Sequence, residues 1–79
     1  MYPGVINVEA KSNFKLIITF SNNEVKEFDM SDYLEIGNFK KLKDERIFKT
    51  ARVVFDTVEW SNGLDIDPET LYNKAKTLN

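Results

Sequence analysis

The chain has no cysteine and no histidine, three glycines, two prolines and one tryptophan. Without cysteine there is no disulfide. With neither thiol nor imidazole, carboxylates alone remain as zinc ligands, so no metal is expected. The missing histidine also removes the side chain that titrates near neutral pH. An acid–base catalyst would have to be a shifted carboxylate or lysine. No cysteine or Ser–His pair offers a nucleophile, and Gly4, Gly37 and Gly63 lie too far apart for a phosphate-cradling loop. The longest apolar run, Leu16-Ile17-Ile18, is far too short to cross a bilayer. The N-terminus lacks the charged start and apolar run of a signal peptide. These absences lead to the expectation of a cytoplasmic, non-enzymatic chain with no cofactor and no membrane contact.

What is present suits a small folded domain. The 79 residues, 42% of them apolar and 13% aromatic, form a single domain over residues 1–79. A domain of this size buries only about 60% of the surface that its unfolded chain exposes, so those apolar residues must be well used. The net charge is −2, but it is unevenly placed. Residues 40–52 hold Lys40, Lys41, Lys43, Arg46, Lys49 and Arg52 against Asp44 and Glu45, a local balance of +4, and the remainder carries −6.

The first thirty residues alternate with period two. Ile6, Val8 and Ala10 form one row, and Phe14, Leu16, Ile18 and Phe20 form the next. Val25 to Met30 adds a third strand with Phe28 and Met30 inward. Alternation of this kind marks a sheet with one buried face, and Ser21-Asn22-Asn23-Glu24 is the turn between two of its strands. The pattern then changes. Ser31 is placed to cap a short helix that Gly37 ends, and Asp44 to cap a second one running to about Thr50, with Ile47, Phe48 and Ala51 inward. Strands resume at Arg52–Phe55 and Thr57–Trp60. Asn62-Gly63 adopts a tight turn cheaply. Asp67-Pro68-Glu69 is a helix start: an acceptor for free backbone N–H groups, a first residue that wastes no donor, and an acid on the positive helix end. Leu71, Ala75 and Leu78 follow at helical spacing.

Three groups of residues are candidate sites. Asp65 and Asp67 could make an oxygen-ligand metal site, yet Asp67 is fully explained as a cap. Asp65 is then the acid left over for a polar contact. Trp60, at a strand end beside a turn, and Tyr72 are either core residues or anchors for a protein partner. With Asp65 they make the candidate partner-binding set. Lys40, Lys41, Lys43 and Arg46 form a candidate patch for anions or nucleic acid. The plainer reading of that segment is a solvated face with Leu42, Ile47 and Phe48 turned inward.

Three stretches, "LIITFSNNEVKEFDMSDYL", "GNFKKLKDERIFKTARV" and "VEWSNGLDIDPETLY", resemble in succession the motifs of a bacterial and phage family, domain of unknown function 2442. The shared points are Phe20, Asn23 and Asp29-Met30, then Gly37, Phe39, Leu42 and Phe48. The ending, Trp60, Asn62, Gly63, Asp65, Ile66, Pro68, Leu71 and Tyr72, is the most specific. Ser61 stands where the family has Pro, and Asn23-Glu24 where it has a Gly turn. The resemblance implies a small α+β domain and no established activity. Similar domains stand alone or carry a DNA-binding helix-turn-helix, and this chain is expected to be the stand-alone form. The resemblance also implies an association of some relatives with mobile elements and toxin–antitoxin-like neighbours, which is not a mechanism.

The reading is therefore an α+β fold: a small antiparallel sheet of about five strands, short helices packed on one face, and a C-terminal helix. The expected role is a non-catalytic protein-binding or regulatory module, acting on a protein partner or as a homo-oligomer. The alternative is a weak nucleic-acid binder using residues 40–52.

Overall fold

Alternating side chains build the first sheet, as shown by a computed structural model that describes residues 2–78. Strands β1 (Val5–Lys11), β2 (Lys15–Phe20) and β3 (Val25–Asp29) form an antiparallel meander, and β7 (Lys76–Thr77) adds to the outer edge of β3. Leu16 pairs with Phe28 and Ala10, and Ile18 with Val8 and Lys26. Leu16, Ile18, Phe20, Phe28 and Met30 are fully or almost fully buried.

The register corrects one row. Val5 faces Phe20 and Asn7 faces Thr19, so Ile6 is the extra residue of a β-bulge. A bulge reverses which residues face the core. Val5 is buried and Ile6 exposed, the opposite of what uninterrupted alternation assigns.

The middle of the chain covers the sheet with short elements. A 3-10 turn spans Met30–Tyr33, and a 3-10 helix spans Gly37–Lys43 with Leu42 buried. Asp29, not Ser31, caps the first of these, accepting from the Ser31 backbone N–H. Helix α1 (Glu45–Phe48) is a single turn, shorter than the spacing suggested, and Asp44 caps it as expected.

The later strands do not extend the first sheet. Strands β4 (Arg52–Val54), β5 (Thr57–Glu59) and β6 (Asp65–Ile66) form a second antiparallel sheet. The α+β class stands, with the strands divided between two sheets. The turn from β5 to β6 is built on Gly63 at a φ of 87°, with the Gly63 N–H donating to Trp60 O and the Trp60 N–H to Leu64 O. Only residues at ease with positive φ close such a loop cheaply. Helix α2 (Pro68–Lys74) begins as its residues dictate, with Asp67 accepting from the Thr70 N–H at 3.3 Å. The helix stops at Lys74, and Leu78 does not join it. The chain turns back beside β3, and the Leu78 N–H donates to Val25 O.

One apolar cluster joins most of these elements. Leu34, Leu42, Phe48, Val58, Trp60, Ile66 and Leu71 meet the inner face of the first sheet. Among the described residues no buried side-chain nitrogen or oxygen lacks a hydrogen-bond partner, and no helix is long and apolar enough to cross a membrane.

Candidate functional site

Trp60 belongs to the core. Its side chain has 0% exposure, its indole N–H donates to the Phe48 carbonyl at 3.0 Å, and its ring lies 6.2 Å from that of Phe48. A buried, hydrogen-bonded indole stabilises the fold and offers nothing to a partner, so Trp60 is corrected from surface anchor to core. Asp65 is exposed on β6, opposite Glu59. No group of three potential metal ligands exists among the described residues. The three members of the partner-binding set therefore do not form one surface.

Tyr72 leads to a different constellation. Lys26 pairs across the sheet with Ile18, which turns it into the core at 7% exposure. Its ammonium donates to the Tyr72 carbonyl at 2.8 Å and lies 3.6 Å from the centroid of the Tyr72 ring. A charge out of water is tolerated only with such partners. The Tyr72 hydroxyl donates to Glu24, which also accepts from the Asn22 amide at 2.5 Å. These bonds hold the Glu24 carboxyl below its ordinary pKa, the Tyr72 hydroxyl contributing most, and they raise Tyr72 above its own. Tyr2 stands nearby, its ring 6.1 Å from that of Tyr72 and its hydroxyl donating to Glu69 at 2.6 Å. The parity of Lys26 with Phe28 and Met30 was the available signal for this cluster.

The basic segment is largely neutralised. Lys40, Lys41, Lys43 and Arg46 are all exposed. However, Lys43 pairs with Glu35, Arg46 with Asp44, Lys49 with Glu45 and Arg52 with Glu59. Lys40 also acts on Glu35, helping Lys43 to lower its pKa. In the 3-10 helix, residues three apart stack on one face, so Lys40 and Lys43 share a side and Lys41 lies off it. Pairing of this kind leaves Lys40 and Lys41 as the bases of the segment without an ion pair among the described residues.

The least expected feature is the turn between β4 and β5. Val54 pairs with Thr57, which makes Phe55 and Asp56 a two-residue hairpin loop. Their φ values are 49° and 65°. Loops of this form favour Asn-Gly, and left-handed backbone is an outlier for a bulky residue. Phe14 also has a positive φ, 61°, but its ring packs edge-on against Phe48 at 5.2 Å. The Phe55 side chain has no such compensation, being 95% exposed. The strand expected over Arg52–Phe55 ends at Val54, and no Gly or Asn marks the turn.

Asp56 is fixed in place. Its carbonyl accepts from the Val5 N–H at 2.9 Å, and the Ser21 N–H donates to the Gly4 carbonyl at 2.8 Å. Gly4 gives this approach its room, because a Cβ there would lie 2.9 Å from Asp56 Cγ and push that side chain aside. Tyr2, Pro3, Gly4, Ser21, Asn22 and Asp56 line an open depression of about 550 Å³. It is continuous in its residues with the Lys26–Tyr72–Glu24 network through Asn22 and Tyr2. The arrangement combines an exposed aromatic on a hairpin tip with a polar hollow beside it. It holds no nucleophile–base pair.

A family model described as Protein of unknown function (DUF2442) matches residues 5–77. That span takes in both sheets, both helices and the Phe55–Asp56 turn. Comparison with curated proteins and with solved structures gave no match.

Proposed function

The chain belongs to the DUF2442 family, and from that premise we propose that it acts as a non-catalytic protein-binding module whose anchor is Phe55. The observation that carries this reading is the combination of 95% exposure with a left-handed backbone at Phe55. Strain of this kind is held at functional positions when folding does not need it. Aromatic side chains are also the common anchors of protein interfaces, since they bury much area with few rotatable bonds. Ile6 and Val53 are exposed on neighbouring strands, and β1 and β4 lie against each other. Together these residues offer an apolar surface around the turn.

The reading is tested by affinity capture from nuclease-treated lysate with the wild-type chain and with Phe55→Ala. The ring makes no core contact, so the variant keeps its fold. A stoichiometric protein held by the wild type and lost by the variant supports the anchor. An identical capture profile for both chains would remove it. Capture abolished by nuclease would favour the nucleic-acid reading instead.

A further inference from the structure

We propose that the depression between Tyr2, Asn22 and Asp56 receives a cationic side chain, a guanidinium or ammonium carried by a basic segment of the protein that buries Phe55. The inference rests on the protein-binding reading and adds to it the chemistry of the partner. The hollow, at about 550 Å³, falls within the range of small-ligand sites. Its polar groups suit a cation. The Asp56 carboxylate forms no hydrogen bond or ion pair among the described residues. The Tyr2 hydroxyl gives its proton to Glu69, and the Ser21 hydroxyl in the wall has lone pairs able to accept.

The surroundings have the same sign. Glu24 holds Asn22, and Glu69 holds Tyr2. The cation in contact with this group, Lys26, is already held by the Tyr72 carbonyl and ring. Lys26 also pairs with Glu24 at 4.0 Å, which leaves the Glu69 and Asp56 carboxylates without a cation among the described residues, in a chain of net charge −2. An anionic ligand would be repelled, whereas a cation meets a carboxylate beside an aromatic wall. Lys26 lying on the Tyr72 ring shows that chemistry at work one side chain away. The Asp56 backbone is held by the Val5 N–H, which fixes the point from which its carboxylate reaches the hollow. Because Asp56 follows Phe55 directly, a partner that engages the ring brings its next contacts over the hollow.

The test is a titration of the 15N-labelled chain, followed by amide NMR shifts. The probes are N-acetyl-arginine amide and N-acetyl-lysine amide, with N-acetyl-glutamine amide and magnesium chloride as controls. The expected result is saturable movement of the Gly4, Ser21, Asn22 and Asp56 amides with the cationic amides alone. Asp56→Asn should weaken this by at least about tenfold, the loss of one charged contact, and its unchanged spectrum elsewhere would verify its fold. Gly4→Ala, which displaces the Asp56 carboxyl, should act in the same direction, while Phe55→Ala should leave probe binding unchanged. Equal shifts with the neutral amide or with magnesium, movement scattered over other acids, or indifference to Asp56→Asn would each overturn the proposal. So would an Asp56-dependent dimer in solution, which would give the hollow to a second copy. Partner capture lost in Phe55→Ala alongside probe binding indifferent to Asp56→Asn would remove this inference and keep the anchor. The reverse pattern would keep the cation seat and remove the anchor.

Discussion

Replacing Phe55 by asparagine should make the protein more stable and less functional. The turn holds Phe55 at a φ of 49°, and left-handed backbone costs an ordinary L-residue about 1–2 kcal/mol. Asparagine populates that region far more readily. Folding buries almost none of the phenylalanine ring, which is 95% exposed, so its removal forfeits next to no hydrophobic stabilisation. The net gain is then about 0.5–1.5 kcal/mol. For a domain of this size each kcal/mol moves the melting midpoint by roughly 4–8 °C, so Phe55→Asn should melt several degrees higher. Trp60, the one tryptophan and fully buried, reports unfolding by fluorescence and lies outside the altered turn. Partner capture should fall in the same variant. A lower melting midpoint would refute the reasoning, because it would mean that the ring contributes packing in solution that outweighs its backbone strain.

Three further outcomes follow from the packing and the charges. Lys26→Met removes a charged hydrogen bond and a ring contact but keeps the buried stem, and it relieves the burial of an ammonium. A net loss of about 1–2 kcal/mol should appear as a lower urea midpoint, and an unchanged or higher midpoint would contradict the role given to Lys26. Trp60→Phe loses the bond to the Phe48 carbonyl and leaves a void, costing about 2–3 kcal/mol. Far-UV circular dichroism must follow that melt, and an unaltered midpoint would return Trp60 to the surface. In acid, hydrogen bonds and ion partners hold Glu24, Asp29, Glu35 and Asp44 below their ordinary values in the folded chain. Their stabilisation is complete above the unfolded values of 4.5 for Glu and 3.8 for Asp and is lost as pH falls through the lower folded ones. Tyr2 and Tyr72 are raised above 10.0, by Glu69 and Glu24 respectively, so their contribution is lost as pH rises through those higher folded values. The melting midpoint should fall between about pH 5 and about pH 3, and a flat profile there would show that these partners are not kept in solution.

The parts of this structure that could be read from the chain are those set by local chemistry. Asp67-Pro68-Glu69 starts α2 because a side-chain acceptor, a missing N–H and an acid each suit a helix end wherever they occur. Asn62-Gly63 turns for an equally local reason. The sheet row of Leu16, Ile18 and Phe20 follows from alternation alone, whereas Phe14, expected to head that row, lies in the 3-10 turn before β2. What was not legible depends on partners distant in sequence. The bulge at Ile6 is set by the register of β1 on β2, and it exchanged the roles of Val5 and Ile6. Lys26 shares parity with Phe28 and Met30, but its inward course is acceptable only because Tyr72, 46 residues on, supplies a carbonyl and a ring. Trp60 could be core or anchor until the Phe48 carbonyl was placed beside its indole. The turn at Phe55-Asp56 carries no turn residue of the usual kind, and the contacts that hold Asp56 come from Gly4 and Val5, at the other end of the chain.

That last case also shows why the strained turn matters more than its size suggests. Domains are stable by only about 0.05–0.15 kcal/mol per residue, so one residue held at a cost of about 1–2 kcal/mol is a sizeable fraction of the total for 79 residues. At Phe14 the cost is offset by a partly buried ring packed edge-on against Phe48. At Phe55 nothing within the described chain offsets it, while Gly4, Val5 and Ser21 hold the neighbouring backbone rigid. With the backbone of the tip already held, association has only the ring's own rotamers to order, and that lowers the cost of a small contact. The folding energetics of the turn and its proposed use in binding therefore make one claim. Relaxing the turn should raise stability and lower affinity together, and a variant that raises both would separate them.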